Sequence, residues 1–377
     1  MFSLKRKPAP GLLLIWLSFT VLSATGYASR EPQSQESRVI EIDRLMAQNY
    51  ETNKPGAALL VSKNGEVILK KGYGMANLEH GIPAGPGTVF RLASLTKVFT
   101  SAAIFMLMER GRLNLEDDIR KSLPDFPGEA GTITVANLLS HTSGLGEYLD
   151  RPDNMQWVRN EYTLEQLIRS VKDKETMFAP GEKDVYSNSN YILLGAIIEK
   201  VSGSSYGEFI RTQIFEPLGM KDSYYDDSRE IVPGRAAPYE PFRGKNDALD
   251  WNLFTNARFY TMSSLYAAGG CLSTVEDLFK FQQALAGETL LKKETVKLSL
   301  EPVKLADGHP GKTSRGGWQL DTVQGHRAVM KGGALPGVCT WLVTLPDDGI
   351  TVILLSNRTP GEPRCGGLAV QLAAACL

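Results

Sequence analysis

Ser94-Leu95-Thr96-Lys97 is the stretch from which the fold of this chain can be argued, and no other Ser-x-x-Lys occurs in its 377 residues. It opens an apolar pattern with helical spacing that continues to Arg110 and ends at Gly111. Residues three apart share one face of a helix, so Lys97 can reach the Ser94 hydroxyl and accept its proton. About one chance match is expected in a chain of this size, and a helix cap followed by a solvated lysine is the alternative explanation.

Two further short motifs follow along the chain. Tyr186-Ser187-Asn188 precedes a helical pattern, and a tyrosine there can act as a general base where nearby cations lower its pKa. Asn188 offers a donor and an acceptor to a substrate amide, although capping of the next helix explains it equally. Lys331-Gly332-Gly333-Ala334 ends a strand pattern, and its glycines allow a substrate to approach the backbone closely. A plain glycine turn beside a surface lysine is the alternative.

Strand patterns lie at both ends of the chain. They cover residues 57–62, 67–72, 328–331, 339–344 and 350–355. Asn64-Gly65 between the first two patterns is a strong β-hairpin signal. Asp347-Asp348-Gly349 predicts the turn between the last two.

Helical patterns fill much of the remainder. Apolar residues recur at helical spacing over 39–46, 191–201 and 368–377. Two capping boxes, Thr163-x-x-Gln166 and Ser273-x-x-Glu276, predict the starts of further helices.

Strands at both ends around a helical middle predict an α+β fold. In this fold an antiparallel sheet is flanked by N- and C-terminal helices and receives an inserted, mostly helical lobe. We expect residues 29–377 to form one catalytic unit. Its sheet lobe comprises about 37–114 and 257–377, and its helical lobe about 115–256.

The composition excludes several classes of protein. The chain carries 41 Lys and Arg against 42 Asp and Glu, which argues against a nucleic-acid partner. Apolar residues make up 42% and charged residues 22%, so the chain is too apolar to be disordered. The expected partner is a small-molecule or peptide substrate.

Residues 1–28 have the three-part layout of a secretory signal peptide. Basic residues at 5–7 precede an apolar run over 11–22, and Gly26-Tyr27-Ala28 predicts cleavage after Ala28. An uncleaved membrane anchor is the alternative. We therefore expect an exported protein, periplasmic or secreted, with no stable membrane insertion once the signal is removed.

The cysteines and histidines do not suggest a metal or cofactor site. Cys271, Cys339, Cys365 and Cys376 could form two bridges in an oxidising compartment, or could equally be buried thiols. The sequence has no Cys-x-x-Cys and no His-Glu-x-x-His, and its four histidines are scattered. We expect neither a metal nor a cofactor.

The three motifs, in this order, resemble those of serine hydrolases related to class C β-lactamases, penicillin-binding DD-peptidases and family VIII esterases. Similarity to this family continues outside them. It covers residues 133–145, 180–181, 217–220, 268–270 and 273–274. The resemblance extends from about Pro55 to Asn357 and implies the β-lactamase/DD-peptidase fold. Glu147 and Tyr148 are expected to border the cleft between the lobes.

The resemblance also implies the chemistry. It implies that Ser94 is the acylated nucleophile and that Lys97 keeps it activated. Tyr186 carries a proton to the leaving group and later activates the deacylating water. Lys331 supplies positive charge beside Tyr186 and the substrate.

The remaining residues implied by the resemblance bind the substrate. Asn188 holds its amide, and the backbone N–H groups of Ser94 and Ala334, beside Gly333, form the oxyanion hole. Such a pair of amides typically contributes several kcal/mol of transition-state stabilisation. His141 could serve as a triad base, but in this family it is usually structural.

One position departs from the family pattern. The third motif is usually Lys-Thr-Gly, whose threonine hydroxyl helps to bind the substrate carboxylate, whereas here Gly332 has no side chain. Loss of a hydrogen bond to a charged group costs about 1.5–3 kcal/mol. We therefore expect weak β-lactamase activity at best.

Two functions from different classes remain. The first is an exported serine hydrolase that forms an acyl-enzyme with an ester, a β-lactam or a D-amino-acid amide, including a DD-carboxypeptidase or D-aminopeptidase-like enzyme. The second is a non-catalytic relative that binds cell-wall peptide. The presence of Ser94, Lys97, Tyr186 and Lys331 together favours the enzyme.

Overall fold

An antiparallel sheet of eight strands dominates the computed structural model, which describes residues 34–128, 131–244, 246, 248–361 and 365–377. The strands are β1 (Ala57–Lys63), β2 (Glu66–Tyr73), β3 (Met75–Asn77), β4 (Ile82–Pro83), β5 (Phe90–Arg91), β6 (Tyr224–Tyr225), β7 (Tyr239–Arg243), β8 (Leu249–Asn256), β9 (Cys271–Ser273), β10 (Pro302–Lys304), β11 (Pro310–Ser314), β12 (Gln319–Val323), β13 (His326–Leu335), β14 (Val338–Leu345) and β15 (Ile350–Ser356). The large sheet has the order β10-β11-β12-β13-β14-β15-β1-β2. The predicted signal peptide lies outside the described residues.

Helices cover both faces of this sheet. They are α1 (Gln35–Asn49), α2 (Lys97–Glu109), α3 (Val135–Leu139), α4 (Asn154–Trp157), α5 (Leu164–Lys172), α6 (Asn188–Ser202), α7 (Tyr206–Ile210), α8 (Tyr266–Gly269), α9 (Val275–Ala286), α10 (Lys293–Leu300) and α11 (Cys365–Ala374). Residues 35–377 form one compact unit by their contacts. Within the described part of the chain, no helix has the length and apolar character needed to cross a membrane.

Strands β1, β14 and β15 at the centre of the sheet are mostly apolar, as expected of strands whose two faces are both buried. Along β1 successive side chains alternate, so that Leu59 packs with α1 and α11 while Leu60 packs in the larger core around α2 and α6. Leu354 and Ile353 of β15 divide in the same way. The α+β fold with its antiparallel sheet and terminal helices is confirmed; the boundaries of the two lobes stay a prediction.

Local predictions agree with the structure in most places. Asn64 and Gly65 both adopt positive φ, 51° and 80°, in the turn between β1 and β2. Such a turn matches the twist of the hairpin, and only residues that tolerate positive φ fit it. Thr163 and Gln166 form the predicted capping box of α5.

The second capping box is wrong by one residue. Ser273 ends β9, where it pairs with Phe90, and Thr274 caps α9 by accepting a hydrogen bond from the Asp277 N–H. The middle of the chain also contains a hairpin, β7–β8, where helices and loops were expected. Among the described residues these two strands form a small sheet of their own, to which Arg358 adds a single parallel bridge at Tyr239. β8 has no fully buried residue, so its sequence lacks the alternation that marks a strand.

The cysteines divide between the two alternatives. Cys339 of β14 and Cys365 of α11 form a disulfide. Cys271 and Cys376 are buried free thiols.

Candidate active site

Ser94 lies in a 3₁₀ turn, Ala93–Thr96, directly before α2. Ala93 has φ of +48°, an uncommon conformation for a residue with a side chain, which turns the chain sharply before Ser94. Gly333 of β13 packs against this turn: a Cβ on it would lie 2.1 Å from the Leu92 carbonyl oxygen and 2.9 Å from the Ser94 nitrogen. Glycine is therefore required for β13 to approach the turn that carries Ser94.

Lys97 is 1% exposed and its amine has three oxygen neighbours. Its Nζ lies 2.8 Å from Asn188 Oδ1, 2.7 Å from the Ala268 carbonyl oxygen and 3.2 Å from Ser94 Oγ. Burial, together with the charge of Lys331, holds the pKa of Lys97 well below its usual value. A neutral amine has two N–H donors and one lone pair, so the two acceptor oxygens leave its lone pair for the Ser94 hydroxyl.

Tyr186 lies on the other side of Ser94. Its hydroxyl is 2.7 Å from Ser94 Oγ, and it donates to Asn188 Oδ1 at 3.2 Å. The side chain is 49% exposed, so a substrate can reach it. The expectation that neighbouring lysines lower the pKa of Tyr186 is wrong: desolvation raises that pKa, and it outweighs the hydrogen bond with Ser94. Of the two groups beside Ser94, Lys97 is thus the one whose pKa is lowered, while the pKa of Tyr186 is raised.

Lys331 is 8% exposed and donates to the Gly317 carbonyl oxygen at 2.6 Å. Its Nζ lies 5.8 Å from the ring centre of Tyr186 and 5.8 Å from that of Tyr191. Burial lowers the pKa of Lys331 to about 8. The structure thus places the Lys331 cation beside Tyr186. Lys331 loses this charge at moderately alkaline pH.

Asn188 is the first residue of α6, and Ser187 occupies the cap position. The capping interpretation of Asn188 is therefore wrong, because its side chain contacts Lys97 and Tyr186 instead. Its amide nitrogen donates to Glu147 Oε2 at 3.2 Å, and its backbone N–H donates to the same oxygen at 2.6 Å. Sequence reasoning gave Glu147 only a place beside the cleft and no role.

Two residues considered in the sequence analysis, Tyr148 and His141, are buried and do not line the site. Tyr148 is fully buried and its hydroxyl donates to the Ser264 carbonyl oxygen, so it does not line the cleft. His141 is also buried, and its Nδ1 accepts from the Ser187 N–H at 3.2 Å. Burial and the charges of two lysines lower the pKa of His141 and keep it neutral. Its ring packs 4.5 Å from that of Tyr186, which fits a structural role.

The sequence model of the Beta-lactamase family matches residues 42–375. The chain belongs to this family of serine hydrolases. Penicillin-binding protein 4* of Bacillus subtilis (strain 168) is 30% identical over 316 residues, 82% of this chain and 69% of that protein. Protein flp of Staphylococcus aureus (strain N315) is 30% identical over 326 residues, 84% of this chain and 62% of that protein. The matched part therefore spans less than two thirds of protein flp.

Solved structures agree with this assignment. The octameric penicillin-binding protein homologue from Pyrococcus abyssi has a TM-score of 0.74 and 28% identity, over 91% of this chain and 77% of that one. D-amino acid amidase from Ochrobactrum anthropi SV3, complexed with L-phenylalanine amide, has a TM-score of 0.74 and 25% identity, over 90% and 98%. EstCE1, a hydrolase with promiscuous acyltransferase activity, shares the fold at a TM-score of 0.75 and 20% identity, over 91% and 99%.

The departure from the β-lactamase pattern at Gly332 has a structural cause. Gly332 lies directly opposite Trp341 of β14, and a Cβ on it would lie 2.6 Å from the Trp341 ring. Gly366 of α11 meets the same atoms of this ring, where a Cβ would lie at 2.5 Å. The indole thus occupies the space that a side chain at position 332 would need.

Metal ligands are not gathered at this site. Within the residues that the structure describes, no group of three or more His, Cys, Asp and Glu side chains is placed to hold a metal ion. The site instead presents the Ser94 hydroxyl within hydrogen-bonding distance of Lys97 and Tyr186.

Proposed function

We propose that the protein is an exported hydrolase that forms an acyl-enzyme on Ser94. The observation that carries this proposal is the placement of Ser94 Oγ, 3.2 Å from the buried amine of Lys97 and 2.7 Å from the Tyr186 hydroxyl. A hydroxyl is a poor nucleophile until a neighbouring base accepts its proton, and both partners lie within reach. A protein that only binds peptide would have no need of a buried lysine whose pKa is held well below its usual value.

Acylation begins when Lys97 accepts the Ser94 proton as Oγ attacks the substrate carbonyl carbon. The carbonyl oxygen becomes an oxyanion, which the N–H groups of Ser94 and Ala334 stabilise; we assign these on the close approach of Gly333 to Ser94. The bond to the leaving group then breaks, and the leaving group takes the Tyr186 proton. Tyr186 recovers a proton from Lys97, so the site ends neutral with an acyl group on Ser94.

Deacylation repeats these steps with water. Water gives its proton to the base pair of Tyr186 and Lys97 as it attacks the acyl carbon, and Ser94 leaves with a proton returned from the same pair. Lys331 adds positive charge 5.8 Å from the Tyr186 ring centre, where negative charge develops.

We propose esters and D-amino-acid amides as the substrate class, with β-lactams acylating slowly. Support comes from the similarity to D-amino acid amidase and from the absence of a threonine hydroxyl at Gly332. A cell-wall peptidase of the DD-carboxypeptidase or D-aminopeptidase type is the alternative, supported by the similarity to penicillin-binding protein 4*. Hydrolysis of D- and L-phenylalanine amides and of a D-alanyl-D-alanine peptide distinguishes them.

Intact-protein mass spectrometry tests the acyl-enzyme. Wild type and Ser94→Ala are exposed separately to a fluorophosphonate and to a penicillin. We expect a full fluorophosphonate adduct and a slow penicillin adduct on the wild type, and neither adduct on Ser94→Ala. Absence of both adducts from the folded wild type contradicts the proposed function.

We further propose export through the signal peptide at residues 1–28. The disulfide between Cys339 and Cys365 supports an oxidising compartment, since such bonds are rare in the cytosol. The mature mass should correspond to a chain that starts at Ser29. A membrane-bound product that retains residues 1–28 would instead establish the anchor.

A further inference from the structure

We propose that Glu147 is a positioning residue that fixes the amide of Asn188 and, through it, the orientation of the Lys97 amine. This inference rests on the proposed function, because it concerns the base that activates Ser94. Glu147 belongs to none of the three motifs and lies 41 positions before Asn188 in the chain.

The Glu147 carboxylate accepts hydrogen bonds from three N–H groups. Oε2 accepts from the backbone N–H of Asn188 at 2.6 Å and from its side-chain Nδ2 at 3.2 Å. Oε1 accepts from the Leu149 N–H at 3.1 Å. A carboxylate is an acceptor only, so this arrangement admits just one orientation of the Asn188 amide.

That orientation directs Asn188 Oδ1 toward the catalytic pair. Oδ1 accepts from Lys97 Nζ at 2.8 Å and from the Tyr186 hydroxyl at 3.2 Å. Rotation of the amide by half a turn would set its NH₂ group against the Lys97 N–H. It would also leave Glu147 facing a carbonyl oxygen. Glu147 therefore keeps one acceptor on Lys97, and the Ala268 carbonyl supplies the second, so the lone pair points at Ser94.

Glu147 is also the negatively charged group that acts on Lys97. Those that face the amine are Lys331, His141, Tyr186 and Tyr191, and none of them is an anion at neutral pH. Burial and Lys331 lower the pKa of Lys97, and Glu147 opposes them. Removal of this charge thus lowers the pKa of Lys97 further, and Lys97 stays a base to lower pH.

The test measures the rate at which a fluorophosphonate labels Ser94 between pH 5 and 9, for the full chain. In Glu147→Ala the amide is free to rotate, and we expect the plateau rate to fall about 10- to 100-fold. Glu147→Gln keeps an acceptor for Asn188 but loses the charge. We expect its plateau within about threefold of wild type and its acidic limb shifted down by about one pH unit.

Two control experiments test whether the effect of Glu147 is specific to that carboxylate and acts through Asn188. Glu182→Gln removes a charge from an exposed carboxylate that pairs with Lys183, and its profile should match wild type. Asn188→Ala combined with Glu147→Ala should be no slower than Asn188→Ala alone, because Glu147 acts through Asn188. Melting temperatures confirm that each variant is folded.

The outcomes separate the two proposals. Wild type that is never labelled at Ser94 overturns the proposed function itself. A second outcome overturns only the role of Glu147. In it the wild type is labelled at Ser94, but Glu147→Gln leaves the acidic limb of the labelling-rate profile unshifted and Glu147→Ala leaves the plateau rate unchanged. Additive effects of Glu147→Ala and Asn188→Ala likewise contradict action through Asn188.

Discussion

The two faces of the large sheet bury different kinds of side chain. On the face that packs against α1 and α11, the buried groups are apolar side chains such as Leu59 and Leu354, together with the Cys339–Cys365 disulfide. On the opposite face two lysines, Lys97 and Lys331, are buried beside the core around α2 and α6. The first face is held by apolar packing, whereas on the second face the two buried lysines donate hydrogen bonds that offset the cost of burying them.

Strand β13 contributes to both faces within four residues. Lys331 and Gly333 lie on the active-site face, where they contact Gly317 and the turn at Ser94. Gly332, between them, faces Trp341 on the other side. Because side chains alternate along a strand, neighbouring substitutions here should affect different properties of the protein.

Lys97→Met should have the largest effect. Methionine is similar in size but has no amine, so Ser94 loses its base and the labelling rate should fall about 1,000-fold. The measurement is the rate of fluorophosphonate labelling at pH 8. Lys70→Met is the control, because Lys70 is exposed and pairs with Glu276 at the surface. A folded Lys97→Met enzyme that is labelled within tenfold of wild type would exclude Lys97 as the base.

Gly333→Ala should have the second largest effect on the labelling rate. Its Cβ would lie 2.1 Å from the Leu92 carbonyl oxygen and must displace the turn that carries Ser94. A shift of this kind misplaces the nucleophile, and we expect a loss of about 100-fold in labelling rate. Gly367→Ala is the matched control, since a Cβ there meets nothing within 4 Å. Equal rates for the two variants would show that the contact at Gly333 does not matter.

Alkaline pH should weaken acylation by an anionic reagent. Burial lowers the pKa of Lys331 to about 8, so its charge is present below this pH and is lost above it. The rate with a penicillin, which carries a carboxylate, should fall about tenfold between pH 7.5 and 9.5. A neutral fluorophosphonate on the same enzyme should show a smaller decline. Identical alkaline limbs for the two reagents would contradict a role for the Lys331 charge.

The sequence predicted the apolar face of the sheet well, and for a physical reason. Strands buried on both sides are continuous apolar runs, and a turn such as Asn64-Gly65 requires residues that tolerate positive φ. These are local properties. Hairpin β7–β8 was missed because its strands bury few residues: β7 buries only Tyr239 and Pro241, and β8 buries none.

The active-site face was predicted only in part. Motif order identified Ser94, Lys97 and Tyr186, and the structure places them within hydrogen-bonding distance. The partners of Lys97 could not be read from local sequence: the Ala268 carbonyl lies 171 positions away, and Glu147 acts through Asn188. The predicted direction of the pKa shift of Tyr186 was also wrong, because desolvation depends on how distant segments of the chain pack around the side chain.

Gly332→Thr should have the smallest effect on catalysis and should sharpen the contrast with Gly333. The new side chain would meet the Trp341 ring at 2.6 Å on the α11 face, away from Ser94. Overpacking of this kind typically costs about 1–3 kcal/mol of stability. We therefore expect a lower midpoint of urea unfolding, with a fluorophosphonate labelling rate within about threefold of wild type. Because the indole blocks the site, the threonine hydroxyl should not accelerate acylation by penicillin. Faster penicillin acylation by this variant would show instead that Trp341 moves and that Gly332 alone limits β-lactam turnover.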